Sequence, residues 1–230
     1  MVKAILYGAS GGLAEALALR LLNDGWQLDL ITRVTREYKV KQTFADFIAS
    51  GRVQIFLVAD RYSDFAITER YDAHFLTQAL FSPSPLTGMS SAAIENEITV
   101  GLTDLILITR NLLNKSTPQY DQRQDFCYIG STSAYAGFRD TSVYCAIKHG
   151  LLGFIRAMND EYSSTAARFW LFSMGTMHTE MGARVTGQDP ATYLNPRDVA
   201  DRIVATLSSP TNIFEPEIIM RRRTIRFLQA

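Results

Sequence analysis

Seven short runs of mainly apolar residues are spread along the chain, and longer stretches with helical periodicity separate them. Strands that are buried on both faces of a sheet have such unbroken apolar runs, because each face packs against helices. The predicted strands are Val2–Tyr7, Trp26–Thr32, Val53–Ala59, Ala73–Leu80, Phe126–Ile129, Ala167–Ser173 and Glu217–Met220.

The stretches between these runs carry apolar residues at helical spacing. The predicted helices are Glu15–Leu22, about Ser90 to Asn114, Tyr144 to about Tyr162, and Pro196 to about Ser208. Strands that alternate with helices predict an α/β fold, a doubly wound parallel sheet between two helical layers. The length of 230 residues fits one domain of this kind, and 47% hydrophobic residues suffice for its core. We therefore expect one Rossmann-type αβα domain over residues 1–230.

Charge and cysteine content narrow the functional classes. Lys plus Arg and Asp plus Glu both number 23, and this balance argues against a nucleic acid or an anionic membrane as partner. The basic run Arg221–Arg223 with Arg226 is expected to be a solvated or interface edge. The two cysteines, Cys127 and Cys145, form no disulfide framework, and no run predicts a signal peptide or a membrane span. The expected location is the cytoplasm.

A glycine-rich turn joins the first predicted strand to the first predicted helix. It reads Gly8-Ala9-Ser10-Gly11-Gly12-Leu13-Ala14. Glycines let the backbone approach a pyrophosphate, and the following helix N-terminus offers free N–H groups and the positive end of its dipole. The context predicts a dinucleotide site, and the alternative is a tight turn without a ligand.

The residue at the end of the second strand normally meets the adenosine ribose of a bound dinucleotide. An acidic residue there favours NAD, whereas Thr32 and Arg33 occupy this position. A guanidinium suits a 2′-phosphate, so NADP(H) is preferred over NAD(H), unless Arg33 is a solvated loop cation. Asp60 follows the third strand and is expected either to meet the adenine amine or to cap the next turn.

Tyr144 and Lys148 have the spacing that places two side chains on one helix face. An ammonium beside a phenol favours phenolate and lowers its pKa, which suits proton transfer in carbonyl or alcohol chemistry. Ser131 comes just after the fifth strand, and its hydroxyl could hold a substrate oxygen. The alternative is a helix with a half-buried tyrosine and a lysine that extends to solvent.

Together, Gly8-x-x-x-Gly12-x-Ala14 and Ser131 with Tyr144-x-x-x-Lys148 resemble the short-chain dehydrogenase/reductase superfamily over essentially the whole chain. The resemblance implies a Rossmann-type sheet, a nicotinamide cofactor, and hydride transfer between that cofactor and a carbonyl or secondary alcohol. It implies that Tyr144 is the acid/base and that Ser131 orients the substrate oxygen. Lys148 is implied to lower the tyrosine pKa and to bind the nicotinamide ribose.

The resemblance also assigns the cofactor-binding positions, to which Arg33 is added from its place on the second strand. They are Gly8, Ser10, Gly11, Gly12, Leu13, Arg33, Asp60, Ala79, Lys148, Gly175 and Thr179. Four positions depart from the family pattern. Ala14 replaces a glycine, Thr77-Gln78-Ala79-Leu80 replaces Asn-Asn-Ala-Gly, Gly101 replaces an asparagine of the proton relay, and Met174 replaces a proline.

Two functions remain open from the sequence. The first is an NADP(H)-dependent oxidoreductase that acts on a small-molecule carbonyl or alcohol and forms a homodimer or homotetramer, as the resemblance implies. The second is a non-catalytic NADP(H)-binding sensor or scaffold, which Gly101 and Thr77-Gln78 favour. His178 follows the sixth strand and could reach a substrate. No two histidines have ligand spacing, so a zinc site is not expected.

Overall fold

The sheet of this protein has seven parallel strands. The computed structural model describes residues 2–115, 123–208 and 214–222. The order across the sheet is β3-β2-β1-β4-β5-β6-β7, and every neighbouring pair is parallel. The strands are β1 Lys3–Tyr7, β2 Gln27–Arg33, β3 Val53–Val58, β4 Ala73–Leu76, β5 Gln124–Ser131, β6 Ala167–Met174 and β7 Glu217–Met220.

Helices cover both faces of this sheet. They are α1 Gly12–Asn23, α2 Glu37–Thr43, α3 Ala45–Ala49, α4 Ser91–Ile98, α5 Asp104–Lys115, α6 Ser142–Glu161 and α7 Pro196–Leu207. One apolar core joins the sheet to α1, α2 and α7, and a second joins its other face to α5 and α6. The structure therefore confirms the predicted doubly wound, three-layer αβα fold.

The chain changes direction across the sheet at β1, which lies between β2 and β4. Successive strands move outward on one side of β1 and then on the other. A crevice opens at such a switch point, outside the carboxyl ends of the strands. The glycine turn after β1 and Ser131 at the end of β5 both lie at this edge.

The structure differs from the predicted elements at the fourth strand, at two short helices and within the long helix. The fourth strand ends at Leu76 rather than Leu80, and just beyond it the Thr77 hydroxyl donates a 2.6 Å hydrogen bond to the Tyr7 carbonyl oxygen. The helices α2 and α3 were not predicted. The predicted long helix is interrupted by a π turn at Thr99–Thr103.

Two further expectations concern the basic run near the C-terminus and membrane-spanning helices. Arg221 and Arg222 follow β7, whereas Arg223 and Arg226 lie outside the described residues. Among the described residues, no helix combines the length and the apolar composition needed to cross a bilayer.

Candidate active site

A cleft of about 1030 Å³ lies at the carboxyl edge of the sheet. Its walls come from the turn after β1, the loop after β4, the end of β5, the start of α6 and the segment after β6. The predicted site residues that line it are Gly8, Ser10, Gly11, Gly12, Leu13, Arg33, Ala79, Ser131, Tyr144, Lys148, Gly175 and Thr179. Asp60 is exposed and does not line this cleft, so its contact with adenine stays a prediction.

The glycine turn is closely packed against its neighbours at two positions. Gly8 has a φ of 82°, and an added Cβ would lie 2.9 Å from the backbone nitrogen of Gln78. An added Cβ on Gly12 would lie 3.0 Å from Cγ2 of Thr179. Ala14 is packed into the core with 1% exposure, so its methyl group is accommodated. The turn therefore presents bare backbone at the N-terminus of α1, a geometry that suits a phosphate.

Ser131, Tyr144 and Lys148 meet at the centre of the cleft. Ser131 ends β5, and its Oγ accepts a hydrogen bond from the Ser133 amide at 3.1 Å. Tyr144 lies in the first turn of α6, and Lys148 follows one turn later on the same face. The Lys148 Nζ lies 5.5 Å from the Tyr144 ring centroid and donates a 2.7 Å hydrogen bond to the Ile129 carbonyl oxygen.

Burial shifts the pKa values of Tyr144 and Lys148, which both lie on α6. It raises the pKa of Tyr144 to about 12; the hydrogen bond with Ser131 opposes this rise, whereas Cys145 and Glu97 add to it. Burial lowers the pKa of Lys148 to about 8. The rise for Tyr144 is opposite to the lowering that its spacing from Lys148 predicts, because desolvation of the phenolate outweighs the favourable effects.

A loop after β4 closes one side of the tyrosine. The Phe81 ring stands edge-on to the Tyr144 ring, with the centroids 4.9 Å apart. The carbonyl oxygen of Phe81 accepts a 3.0 Å hydrogen bond from Nη1 of Arg184, which comes from the segment after β6. These two contacts connect the phenol to both loops that border the substrate region. Sequence reasoning missed them because they depend on how the loops fold.

Arg33 stands at the opposite end of the cleft, at the end of β2. Its guanidinium carbon lies 5.7 Å from the centroid of the Tyr62 ring. Thr35 and Arg36 line the same cleft. Sequence reasoning did not select Arg36, although its position three residues after Arg33 is a signal that could have found it.

The position of the expected relay asparagine has no space for a side chain. An added Cβ on Gly101 would lie 2.9 Å from Cγ2 of Ile147. Asn96 is exposed to solvent. His178 does not line the cleft, and its ring centroid lies 5.5 Å from that of Tyr193. None of these three residues supplies a polar side chain to the described wall of the site.

Both the sequence and the fold are similar to those of known proteins. A sequence model described as short chain dehydrogenase matches residues 3–190. The chain belongs to the short-chain dehydrogenase family. An alcohol dehydrogenase from the archaeon Thermococcus sibiricus, solved with 5-hydroxy-NADP, superposes with a TM-score of 0.82 at 18% identity. The match covers 99% of this chain and 100% of that chain.

Two reductases are similar in sequence to parts of this chain. Sepiapterin reductase of Chlorobaculum tepidum is 29% identical over 94 residues, which are 41% of this chain and 38% of that protein. Benzil reductase ((S)-benzoin forming) of Bacillus subtilis is 27% identical over 192 residues, which are 78% of this chain and 76% of that protein. The first similarity therefore spans only about two fifths of the relative, and the second spans about three quarters.

Proposed function

We propose that this protein is an NADP(H)-dependent oxidoreductase that transfers hydride between nicotinamide and the carbonyl or secondary alcohol group of a small molecule. The observation that supports the proposal most is the joint position of Ser131, Tyr144 and Lys148 in one cleft with the glycine turn. A phenol, a hydroxyl and an ammonium at one point serve proton transfer to an oxygen atom.

The residues present fit a dinucleotide. Gly8, Gly11 and Gly12 of the glycine turn line the cleft without side chains at the N-terminus of α1, so a pyrophosphate could approach the backbone there. Lys148 and Thr179 line the cleft beyond this turn and would hold the nicotinamide ribose and carboxamide. The bound cofactor supplies the hydride, which is the chemistry that protein side chains lack.

The side chains supply orientation and the proton. In the reductive direction, the Ser131 hydroxyl donates a hydrogen bond to the carbonyl oxygen of the substrate and orients it. Tyr144 then gives its phenolic proton to that oxygen as the carbonyl carbon gains hydride. The raised pKa keeps this phenol protonated at neutral pH, as an acid requires. The Lys148 ammonium lies close enough to stabilise the phenolate that remains.

The preference for NADP(H) rests on the far end of the cleft. Arg33 and Arg36 are two cations at the end of β2, where the adenosine ribose of a dinucleotide lies. The similar alcohol dehydrogenase was solved with an NADP derivative, and a metagenomic short-chain oxidoreductase at 22% identity was solved with NADP. Both observations favour a bound 2′-phosphate.

The cofactor is tested by titrating the purified protein with NADPH and NADH. Arg33→Ala should weaken NADPH binding about 10- to 100-fold, because a charge-assisted hydrogen bond contributes about 1.5–3 kcal/mol. It should leave NADH binding unchanged. Arg110→Ala, an exposed arginine on α5, is the matched control. Equal binding of both cofactors by the unaltered protein would remove the NADP assignment.

Turnover is tested with a panel of ketones and aldehydes, by following NADPH oxidation. Tyr144→Phe should reduce turnover by about a hundredfold or more and leave the Kd for NADPH unchanged. Normal turnover in this variant would exclude Tyr144 as the acid.

A non-catalytic NADP(H) sensor or scaffold is the second candidate, and the blocked side-chain position at Gly101 favours it. NADPH binding without Tyr144-dependent oxidation across the panel would support this candidate. The homodimer or homotetramer and the cytoplasmic location stay predictions.

A further inference from the structure

Glu97 is a buried carboxyl group beside the proposed acid. It lies on α4, and the residue is 3% exposed. Its Oε1 is buried and has no hydrogen-bond partner among the described residues. A carboxylate in such a place costs free energy unless it is paired or hydrogen-bonded, because a buried charge loses its hydration. Neither the family pattern quoted above nor the proposed mechanism assigns Glu97 a role.

Glu97 and Tyr144 line one small cavity, which is too small for a water molecule. The cavity is lined by Phe81, Ser82, Met89, Glu97, Asp140, Thr141, Ser142, Val143 and Tyr144. Three of its lining residues, Ser142, Val143 and Tyr144, form the first turn of α6. The amides of a first helical turn lack intrahelical acceptors, and the positive end of the dipole lies there, so the position favours a carboxylate.

The charged and titratable groups around this cavity come from three segments. Asp140 lines it from the loop before α6, and Cys145 and Lys148 lie on α6 near Tyr144. Lys148 donates to the Ile129 carbonyl oxygen, and Cys145 Sγ pairs with the Thr141 hydroxyl at 3.3 Å. Neither contact involves Glu97. Glu97 adds to the raised pKa of Tyr144.

We propose that Glu97 is a positioning residue that holds the proton on Tyr144, so that the phenol remains available as the acid for carbonyl reduction up to a higher pH. This inference rests on the proposed function. In reduction, the carbonyl carbon gains hydride, the carbonyl π pair moves to oxygen, and oxygen takes the Tyr144 proton. Water then returns a proton to the phenolate. The phenolate form, which cannot give this proton, is disfavoured by a neighbouring negative charge.

The first readout measures the proton on Tyr144 without turnover. Protein is prepared with fluorinated tyrosine, and the ¹⁹F resonance that disappears in Tyr144→Phe is followed as pH rises. Glu97→Gln should lower the midpoint of this titration, since it removes a like charge. Glu95→Gln removes an exposed carboxylate from the same helix and should leave the midpoint unchanged. Equal midpoints in both variants and the unaltered protein would overturn the inference.

The second readout is the pH dependence of carbonyl reduction. In Glu97→Gln, the pH above which NADPH-dependent reduction declines should fall together with the NMR midpoint, because Tyr144 loses its proton at a lower pH. A merely structural role would slow reduction at every pH without moving this limb of the profile, and that result would overturn the inference.

A further variant covers the case in which Glu97→Gln does not fold. Glu97→Asp keeps the charge, and its midpoint should stay within a few tenths of a pH unit of the unaltered protein, whereas a drop of a full unit would contradict the inference. If the protein binds NADPH but reduces no carbonyl, the proposed function fails. The NMR midpoints still decide the role of Glu97.

Discussion

The buried ammonium of Lys148 should lower the free energy of unfolding near neutral pH. The residue is 2% exposed, and within the described part of the chain its ammonium has one hydrogen bond, to the carbonyl oxygen of Ile129. Burial lowers its pKa from 10.5 to about 8. Protonation of Lys148 is therefore harder in the folded protein than in the unfolded chain, and this difference destabilises the fold wherever the lysine is charged. Lys148→Met removes the charge and keeps the apolar stem.

The size of the effect follows from the two pKa values. The gap between 10.5 and about 8 corresponds to about 3 kcal/mol. Removal of the donor to Ile129 costs about 1 kcal/mol, so Lys148→Met should gain about 2 kcal/mol in the free energy of unfolding near pH 7. The penalty is fully present below the folded pKa and declines as pH rises toward the unfolded value. At about pH 9.5 roughly half of it remains, and the advantage of the variant should almost vanish.

Urea unfolding at the two pH values, followed by circular dichroism, measures this difference. Lys41→Met is the matched control, because Lys41 is exposed and pairs only with Glu37 on the same helix. The control should change stability by less than about 0.5 kcal/mol at both pH values. The same Lys148→Met protein should lose turnover. A variant that is less stable than the unaltered protein near pH 7, or whose advantage does not shrink at higher pH, would refute the reasoning.

Two further predictions concern the architecture of the cleft. Gly8→Ala should lower the free energy of unfolding, measured by heat or urea, by at least about 2 kcal/mol, since it adds a steric contact to a positive φ. It should also abolish NADPH binding. Gly25→Ala is the control and should lower the free energy of unfolding by only about 1 kcal/mol, because Gly25 has a positive φ but open space around it. Asp104→Asn should cost about 3 kcal/mol by the same measurement, because buried Asp104 binds the Arg61 guanidinium and the Tyr62 amide. Near-neutral unfolding energies for Gly8→Ala or Asp104→Asn would contradict these assignments.

The strands and the centre of the site could be predicted from the sequence because their signals are local. A parallel strand that is buried on both faces needs an unbroken apolar run, and the run before Ser131 meets this requirement. The glycine turn lies between a strand and a helix, so its place at the sheet edge follows from the topology. The spacing of Tyr144 and Lys148 puts both on one face of α6 wherever that helix begins.

The remainder depends on packing that no local pattern expresses. A glutamate on a predicted surface helix is expected to be solvated, whereas the packing of α4 against α6 and the neighbouring loops buries Glu97. Asp60 follows its strand as predicted, but its exposed side chain is not part of the cleft wall. The pKa of Tyr144 shows the same limit. Its charged neighbour can be identified from spacing, whereas the larger effect of desolvation requires the whole enclosure.

The π turn at Thr99–Thr103 changes how residues on this helix can be compared with those of relatives. A π turn contains one residue more than an α-helical turn, which rotates everything beyond it by about 100° around the axis. Glu97 before the turn faces Tyr144, and Asp104 after it faces Arg61. Equivalent positions must therefore be counted separately from each end of the helix. A single inserted residue is thus enough to turn polar groups toward or away from Tyr144 while the sheet and its order stay the same.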